Sequence, residues 1–367
     1  MRIAIVHDWL TGTRGGERIL EALCEMLPTA TIFSLLHVPG TVSKAIEEHP
    51  IRTSFVQRLP LVREHYRLYL PLFPKAIESL DLSGYDLVLS VSHCAAKGAV
   101  PPTGTVSICI CLTPMRYAWD QFDSYFPPRT VRRALVTPFI NRLRKWDRET
   151  SDRVQHFVAI SEFVAGRIKH YYGRQSVVIY PPVDLSRFTI APHPPEDYYL
   201  IVSAFAPYKR LDIAIEAFKG LDRKLKIIGE GQHERQLEKM APRNVEFLGA
   251  LPDEEVACRL SRCRALLFPG VEDFGIVPVE SLASGRPVIA FAAGGILETV
   301  EDGKTGFLFA EQTPASLVEA IHRSENLTLE PEKLREAAQK FDADIFKQKI
   351  GKLILERMAA ADRSREL

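Results

Sequence analysis

The sequence has few cysteines, no excess of charge of either sign and no long apolar run, and each absence argues against a class of protein. Only six of its 367 residues are cysteines, scattered and without a CxxC pair, so neither a disulfide-rich module nor a cysteine metal site is predicted. Lys and Arg number 47 against 46 Asp and Glu, which disfavours a uniformly basic nucleic-acid binder and a strongly acidic chain. The first apolar run is cut at Asp8, and the longest uncharged stretch, residues 98–115, holds three prolines. We therefore expect a cytoplasmic protein without a membrane span.

What is present is the composition of a folded globular protein, with 46% hydrophobic and 25% charged residues. At roughly 100–200 residues per domain, a chain of 367 residues predicts two domains, each large enough to bury its own core.

The first half of the chain alternates apolar strands with helices. Arg2 to His7 is an Ile- and Val-rich run, followed by a glycine loop and an amphipathic helix over Glu17–Leu27. Another helix is predicted over Glu162–Tyr172, capped by Ser161 and ended by Gly173. Further strands are predicted at Thr31–Leu36, Leu87–Val91, Thr105–Cys111 and His156–Ile160. Buried parallel strands separated by helices indicate an α/β domain.

A proline-rich linker separates this half from a second series of the same kind. Residues 181–195 contain five prolines, which interrupt both helical and strand periodicity. The strands predicted beyond it are Tyr199–Ala204, Leu225–Ile228, Val245–Leu248, Ala265–Phe268 and Pro287–Ala290. Two α/β domains of similar size therefore account for the chain.

The first glycine loop, GTRGGER, differs from the GxGxxG dinucleotide fingerprint. No acidic residue ends a second strand at the spacing which that motif requires, so a nicotinamide cofactor is disfavoured. Gly15 and Gly16 would let the backbone approach a ligand at the start of the next helix, although a tight turn needs glycine as well.

The strongest constellation is the segment PGVEDFGIVPVESLASGRPVIA. Glu272 follows a predicted strand, at the carboxyl edge where α/β sheets bind ligands, and Glu280 lies on the helix predicted to start near Ile276. Backbone N–H groups over residues 274–277 then point outward with the positive end of the helix dipole, which suits a diphosphate. Two solvated glutamates are the alternative interpretation of the pair.

Three further strand ends favour the same kind of ligand. Lys209 and Arg210 follow one strand, where a cation can neutralise a phosphate. The other two carry glycine loops, 229–231, which is able to border a flat base, and 294–295, which precedes a helix start. Together these ends predict an anionic, nucleotide-like ligand.

Residues 129–153 depart from the neutral average. They hold eight Arg or Lys against three Asp or Glu, interleaved with apolar residues such as Leu143 and Trp146. A basic amphipathic helix of this kind either lies on an anionic membrane surface or forms a solvated face over a core, and both interpretations stay open.

On these segments the chain resembles the family 4 retaining glycosyltransferases, and most of all the bacterial mannosyl- and rhamnosyl-transferases of surface polysaccharide synthesis. The segments that carry the resemblance span nearly the whole chain: VHDWLTGTRGGER, SHCAAKG, TPMRYAWD, ISEFV, YPPVD, FAPYKRLD, IGEG, EDFGIVPVESLASGRPVIA and EDGKTGFL. The resemblance implies the GT-B fold, an α/β architecture of two facing Rossmann-like domains with parallel sheets. It places an acceptor-side domain at 1–180, a nucleotide-sugar domain at 181–342 and, at 343–367, a C-terminal helix that crosses back to the first domain.

The function implied is that of a metal-independent retaining hexosyltransferase. It would move a mannosyl group from GDP-mannose to a glycan or lipid-linked acceptor, with no cofactor and no nucleic-acid partner. We expect it in the cytoplasm, peripheral to the inner membrane surface if residues 129–153 bind anionic lipid.

The resemblance also assigns residue roles. Glu272 would hold hydroxyls of the donor sugar, Lys209 would contact the diphosphate, and His93 would face the cleft as the third catalytic residue. The donor would further be bound by Gly15, Gly16, Arg210, Gly229, Glu230, Gly231, Phe274, Gly275, Ile276, Val277 and Glu280.

The chain departs from the family pattern at two positions. Ala204 stands where the family usually has an arginine, and Leu112 stands where it often has a histidine. A non-catalytic subunit that binds a sugar nucleotide is therefore one alternative. Another GT-B enzyme, such as a nucleotide-sugar epimerase, is the second, and it should have more acid and base groups than this chain provides.

Overall fold

The computed structural model describes residues 1–13 and 15–365, and the chain divides into two compact units. The first comprises Met1–Pro182 and the chain from Asp344 onward, and the second comprises Val183–Ala343.

The first unit is built on a parallel sheet of seven strands. Its order is β3-β2-β1-β4-β5-β6-β7. The strands are β1 (Ile3–His7), β2 (Thr31–Ser34), β3 (Ile51–Thr53), β4 (Leu87–Ser92), β5 (Val106–Cys111), β6 (His156–Ala159) and β7 (Ser176–Val178). Ile5 of β1 pairs with Ile32 of β2 on one side and with Leu89 of β4 on the other. Every residue of β1, β4 and β5 is buried, as expected of strands covered on both faces.

In the described part of this unit, seven α-helices precede the linker. They are α1 (Gly15–Met26), α2 (Lys44–Glu47), α3 (Val62–His65), α4 (Phe73–Glu78), α5 (Phe122–Tyr125), α6 (Val131–Glu149) and α7 (Glu162–Tyr172). The predicted ends of α7 are confirmed. The Ser161 hydroxyl accepts a hydrogen bond from Val164 N at 3.0 Å, and Gly173 ends the helix at a φ of 69°.

The basic segment singled out in the sequence is largely α6, whose second half turns apolar side chains inward, whereas Val131 and Leu135 near its start are 78% and 76% exposed. Ile140 and Leu143 are buried in the core, and the ring of Trp146 packs against Gly98, where a Cβ would lie 2.5 Å from the nearest ring atom. Arg144 is also held in place, since its Nε donates to the Ala118 carbonyl at 2.5 Å.

The second unit is built on a parallel sheet of six strands. Its order is β10-β9-β8-β11-β12-β13. The strands are β8 (Tyr199–Val202), β9 (Leu225–Ile228), β10 (Val245–Gly249), β11 (Leu266–Phe268), β12 (Val288–Phe291) and β13 (Gly306–Phe309). The helices are α8 (Leu211–Ala217), α9 (Glu234–Met240), α10 (Asp253–Arg262), α11 (Ile276–Ala283), α12 (Ile296–Thr299), α13 (Pro314–Asn326) and α14 (Pro331–Ala338). The prediction of two Rossmann-like α/β domains is therefore confirmed.

The last helix, α15 (Ala343–Arg365), returns to the first unit. Lys347 on this helix pairs with Glu25 of α1 at 2.7 Å, and Phe346 and Ile350 are buried. Within the described residues, no helix is both long and apolar enough to cross a membrane. All six cysteines are free thiols.

Candidate functional site

In the second unit, Lys209 and Glu272 meet at the ends of two neighbouring strands. Lys209 ends a short 3-10 turn after β8, and Glu272 lies in the loop after β11. The Lys209 ammonium and the Glu272 carboxylate form an ion pair, with side chains only 14% and 20% exposed. Parallel strands bring their carboxyl ends to one edge, which is why residues 63 positions apart in the chain meet here.

Gly270 allows this close approach. A Cβ on Gly270 would lie 2.8 Å from both Lys209 Cα and Tyr208 O, so a larger residue would push the two loops apart. Lys209, Glu272 and the ends of β8 and β11 line a cavity of about 10 Å³, roughly the space of one water molecule.

The loop of Gly229, Glu230 and Gly231 packs directly on the chain that leads to Lys209. Phe205 N donates to Glu230 O at 2.9 Å, and a Cβ on Gly231 would lie 2.8 Å from Phe205 N. Gly229 has a φ of 130°, which favours glycine. The predicted base-bordering loop is thus placed next to the Lys209 segment.

The second glycine loop packs against the segment of Glu272. Gly295 N donates to Glu272 O at 2.9 Å, and Gly294 forms a β-bridge with Glu272. Gly275, with a φ of 89°, precedes the first turn of α11, where Ile276 and Val277 lie half-buried. The first N–H groups of a helix have no partner within the helix, and the helix dipole adds positive charge at this end, which suits an anion.

Three predicted donor residues have other neighbours as well. The Arg210 guanidinium binds the Asp212 carboxylate at 3.1 Å and the Gln312 side chain at 3.2 Å. Phe274 is buried and meets the Phe341 ring edge-on at 5.3 Å. Glu280 lies half-buried on α11.

In the first unit, the fully buried Asp8 carboxylate follows β1 and organises the loop after β4. It accepts four backbone hydrogen bonds of 2.5 to 2.9 Å, from the N–H groups of residues 93–96. Burial on its own would raise the pKa of Asp8, but the charge of His93 and the hydrogen bonds outweigh it and lower the pKa to about 2. Asp8 is therefore a carboxylate at any physiological pH.

His93, the predicted cleft imidazole, is held by this carboxylate and by Trp9. Its Nδ1 lies 3.0 Å from Asp8 Oδ2, and its ring meets the Trp9 ring edge-on at 4.5 Å. The His93 side chain is 31% exposed, so part of the ring is open to a ligand.

Gly15 and Gly16 begin helix α1, at the end of the strand that carries His7. A Cβ on Gly16 would lie 2.8 Å from Leu112 Cδ1 and 3.5 Å from His7 Nε2. His7 is fully buried, and burial lowers its pKa. Leu112, at the position where the family often has histidine, thus packs against the glycine loop.

The sequence did not lead us to Asp8, Gly270 or Gln312 as site residues. Asp8 carried a signal, because it is a charged residue placed directly after a fully apolar strand. Gly270 and Gln312 act through contacts between distant loops, which spacing along the chain does not reveal. Gln312 connects Arg210 to the end of β11. Its side-chain oxygen accepts from the Arg210 guanidinium, and its side-chain NH₂ group donates to Pro269 O at 2.9 Å.

Within residues 1–13 and 15–365, no three His, Cys, Asp or Glu side chains are grouped so that they could hold a metal ion. Asp342 and Asp344 have the DxD spacing that metal-dependent sugar-nucleotide sites use, but no third such side chain joins them in this part of the chain.

Two family models match adjacent parts of the chain. The model of glycosyltransferase family 4 matches residues 13–187, and that of the group 1 glycosyl transferases matches residues 184–341. Together they cover the first unit from its glycine loop to Pro182 and nearly all of the second, while α15 lies outside both matches.

Several known proteins are similar. An uncharacterized glycosyltransferase of Methanocaldococcus jannaschii is 32% identical over 48% of this chain and 50% of its own length. The alpha-1,3/1,6-mannosyltransferase ALG2 of Mus musculus is 27% identical over 61% of this chain and 65% of its own. A GDP-mannose-dependent phosphatidylinositol monomannoside mannosyltransferase of Corynebacterium glutamicum is 30% identical over 42% and 48%. The chain thus spans between about half and two thirds of these relatives.

A solved structure matches almost the whole chain. Anabaena HepE, crystallised with UDP, has a TM-score of 0.72 at 17% identity and covers 97% of this chain and 100% of its own. At this identity the likeness establishes the fold, which is the GT-B fold predicted from the sequence.

Proposed function

The chain belongs to the family 4 glycosyltransferases, and from this premise we propose that it is a retaining, metal-independent hexosyltransferase. It uses a nucleotide sugar as donor and a glycan or lipid-linked acceptor in surface polysaccharide synthesis. The observation that carries the proposal is the ion pair of Lys209 and Glu272 at the ends of β8 and β11, in the loops that precede α8 and α11.

Each partner of this pair has a role that fits its chemistry. Glu272, an acceptor of hydrogen bonds, holds hydroxyls of the donor sugar, and Glu280, further along α11, holds those of the ribose. Lys209 supplies the positive charge for the diphosphate. The glycine loop at 229–231, packed under the Lys209 segment, borders the base.

The chemistry requires stabilisation of a leaving diphosphate. As the anomeric carbon–oxygen bond breaks, negative charge develops on the phosphate, next to Lys209 and the N-terminus of α11. These groups are already in place before the reaction, which is the condition under which electrostatic stabilisation is most effective. Because these groups supply the positive charge that a metal ion would otherwise provide, we propose that no metal is needed. The acceptor hydroxyl attacks on the leaving-group face and gives its proton to the departing phosphate.

Lys209 bears this charge without help from its neighbour in sequence. Arg210 is bound to Asp212, and Ala204 provides no cation where the family usually has arginine. In the first unit, Gly15 and Gly16 approach the diphosphate, and the partly exposed His93 contacts the transferred sugar.

The finer identity of the donor is proposed as GDP-mannose. It is supported by the names of two relatives, a mannosyltransferase and a GDP-mannose-dependent mannosyltransferase. A lipid-linked acceptor would place the enzyme at the inner membrane surface, where the exposed basic residues of α6, Arg142 and Arg148 among them, meet anionic lipid.

A panel of GDP-, UDP- and dTDP-sugars tests the proposal by thermal stabilisation, followed by release of free sugar without acceptor. GDP-mannose should raise Tm and be hydrolysed slowly. Lys209→Ala should abolish both effects, whereas Lys219→Ala, an exposed lysine of the same unit, should retain them. Stabilisation without hydrolysis would favour the non-catalytic subunit, and no stabilisation by any sugar nucleotide would refute the proposal.

A further inference from the structure

Exposed apolar side chains are concentrated in one segment of the first unit. Among the described residues, fourteen large hydrophobic side chains are exposed, and four of them lie within residues 55–72. They are Phe55, Leu61, Leu68 and Leu72, and Leu61 and Leu68 are 71% and 76% exposed. Single exposed leucines are ordinary, but a cluster of them on one segment indicates a contact surface.

The same segment is strongly basic. Residues 55–75, which we call the basic-apolar segment, contain four exposed cations and one acidic residue, Glu64. The cations are Arg58, Arg63, Arg67 and Lys75. Leucines flanked by arginines suit the boundary between the headgroups and acyl chains of an anionic bilayer.

The segment is held rigidly from beneath. Val62, Tyr66 and Phe73 are buried in the core, and the Tyr69 hydroxyl donates to Pro60 O at 2.6 Å. The exposed leucines therefore project from a fixed scaffold.

Leu61 combines exposure with an unfavourable backbone conformation. Its backbone is left-handed, with a φ of 51°, a conformation that costs conformational energy in any residue except glycine. At 71% exposed, the side chain gains almost no burial within the protein. The fold therefore leaves this leucine available for a contact outside the chain.

We propose that the basic-apolar segment inserts into the surface of an anionic lipid bilayer. The leucines enter the acyl boundary and the arginines bind lipid phosphates. The surface is separate in sequence from α6, where Ile140 and Leu143 are buried but Val131 and Leu135 are exposed. The basic-apolar segment holds four of the fourteen exposed large hydrophobic side chains, whereas α6 holds two.

The position of the segment also connects it to His93. The Tyr66 ring lies 5.1 Å from the Trp9 ring, and the Trp9 ring lies 4.5 Å from that of His93. A bilayer on this face would hold a lipid-linked acceptor close to the imidazole. This last step rests on the proposed function, whereas binding to the bilayer does not.

Co-sedimentation of the full chain with phosphatidylglycerol–phosphatidylcholine vesicles tests the proposal. The wild type should pellet with these vesicles and not with pure phosphatidylcholine. Leu61→Ser with Leu68→Ser should lower the bound fraction at least tenfold, and Arg63→Glu with Arg67→Glu should do the same. Leu297→Ser with Leu327→Ser, two exposed leucines of the second unit, is the matched control for the apolar change, and it should bind as the wild type does.

Several outcomes would overturn it. One is a wild type that does not bind anionic vesicles at low salt, and another is a control variant that loses binding as much as the Leu61 and Leu68 variant does. A third is a wild type that is a dimer in solution and a Leu61 and Leu68 variant that is a monomer, because the surface would then bind a second copy of the chain. Circular dichroism checks that each variant is folded. Hydrolysis of the sugar nucleotide without vesicles should be unchanged in the leucine variant. If the wild type binds anionic vesicles but does not hydrolyse any sugar nucleotide, the proposed function is refuted and the proposal of bilayer binding is not.

Discussion

Asp8 fixes the position of His93 through both its backbone and its side chain. One oxygen of the buried Asp8 carboxylate accepts the N–H of His93 at 2.7 Å and lies 3.0 Å from the imidazole Nδ1. The other oxygen binds the next turn of the same loop, at Ala95 and Ala96. The Asp8 carboxylate thus fixes the loop that carries His93 and places a negative charge beside the imidazole Nδ1.

Asp8→Asn should reduce turnover by acting through His93. The amide retains one acceptor oxygen but turns its NH₂ group toward backbone donors, so the loop of His93 loses its anchor. We expect turnover to fall about tenfold to a hundredfold, the range typical of a group that orients a functional side chain without touching the substrate. A double-mutant cycle checks this, because the effect of Asp8→Asn should largely vanish in a His93→Ala background. If the losses of turnover in Asp8→Asn and His93→Ala simply add in the double variant, Asp8 does not act through His93.

The same carboxylate should make stability depend on pH. The pKa of Asp8 is lowered from 3.8 to about 2, so its ionised form stabilises the folded state. This contribution, about 2 kcal/mol by linkage, is fully present above the unfolded pKa near 4 and is lost as pH falls toward 2. The difference in free energy of unfolding between the wild type and Asp8→Asn should therefore shrink from pH 5 to pH 2.5 in urea titrations. A constant difference over that range would contradict the assignment.

The sequence predicted the inner strands of both sheets and missed strands at their edges. The strands not predicted are β3, β7 and β13, each of which lies at the end of its sheet. In β3 and β7 the central residue is exposed and its neighbours are half-buried, because an edge strand is covered on fewer sides. Their sequences, IRT and SVV, are too short and too mixed to indicate a strand.

For the site, the sequence was most informative where chemistry follows a strand. Lys209 and Glu272 were predicted on that ground, and the structure brings them into contact. The sequence did not predict the contacts between side chains of distant segments. Two examples are the pairing of Arg210 with Asp212 and the backbone hydrogen bonds from the His93 loop to the Asp8 carboxylate. Both depend on how the loops fold and not on spacing along the chain. The exposure of Leu61 and Leu68 likewise depends on which side of their segment packs against the core.

Removal of either partner of the strand-end ion pair should abolish most activity. Lys209→Ala and Glu272→Ala should each lower turnover by roughly 10²–10³, the scale for one preorganised electrostatic contact. Tm should change little, because both side chains lie at a sheet edge and outside the core. Lys219→Ala, whose partner is Glu216 on the protein surface, is the control and should keep wild-type turnover. Near-normal turnover in both site variants would contradict the site.

Activity should survive an excess of EDTA, because Lys209 and the helix N–H groups stabilise the departing diphosphate. The measurement is the initial transfer rate in chelator, with and without added Mg²⁺ or Mn²⁺. If EDTA abolished the rate and a divalent ion restored it, the metal-free mechanism would be wrong. Asp342→Asn would then show whether the DxD pair is responsible.

The buried ion pair between Lys97 and Asp147 should be the most costly single contact to break in the first unit. Both side chains are almost fully buried, at 2% and 0% exposure, and their charged atoms lie 3.0 Å apart. Asp147 also accepts hydrogen bonds from the Trp119 indole and the Tyr172 hydroxyl. Lys97→Met would therefore leave a carboxylate buried without its cation, which costs about 3–5 kcal/mol of free energy of unfolding.

Tryptophan fluorescence can follow this unit alone, because the three tryptophans, Trp9, Trp119 and Trp146, all belong to it. The control is Lys145→Met on the same helix as Asp147. Its side chain is 76% exposed and its partner Glu149 is on the surface, so the expected change is within about 0.5 kcal/mol. Equal losses in the two variants would show that the buried charge of Asp147 is compensated without Lys97. A large loss in Lys97→Met alone would establish that this pair ties the His93 loop to α6.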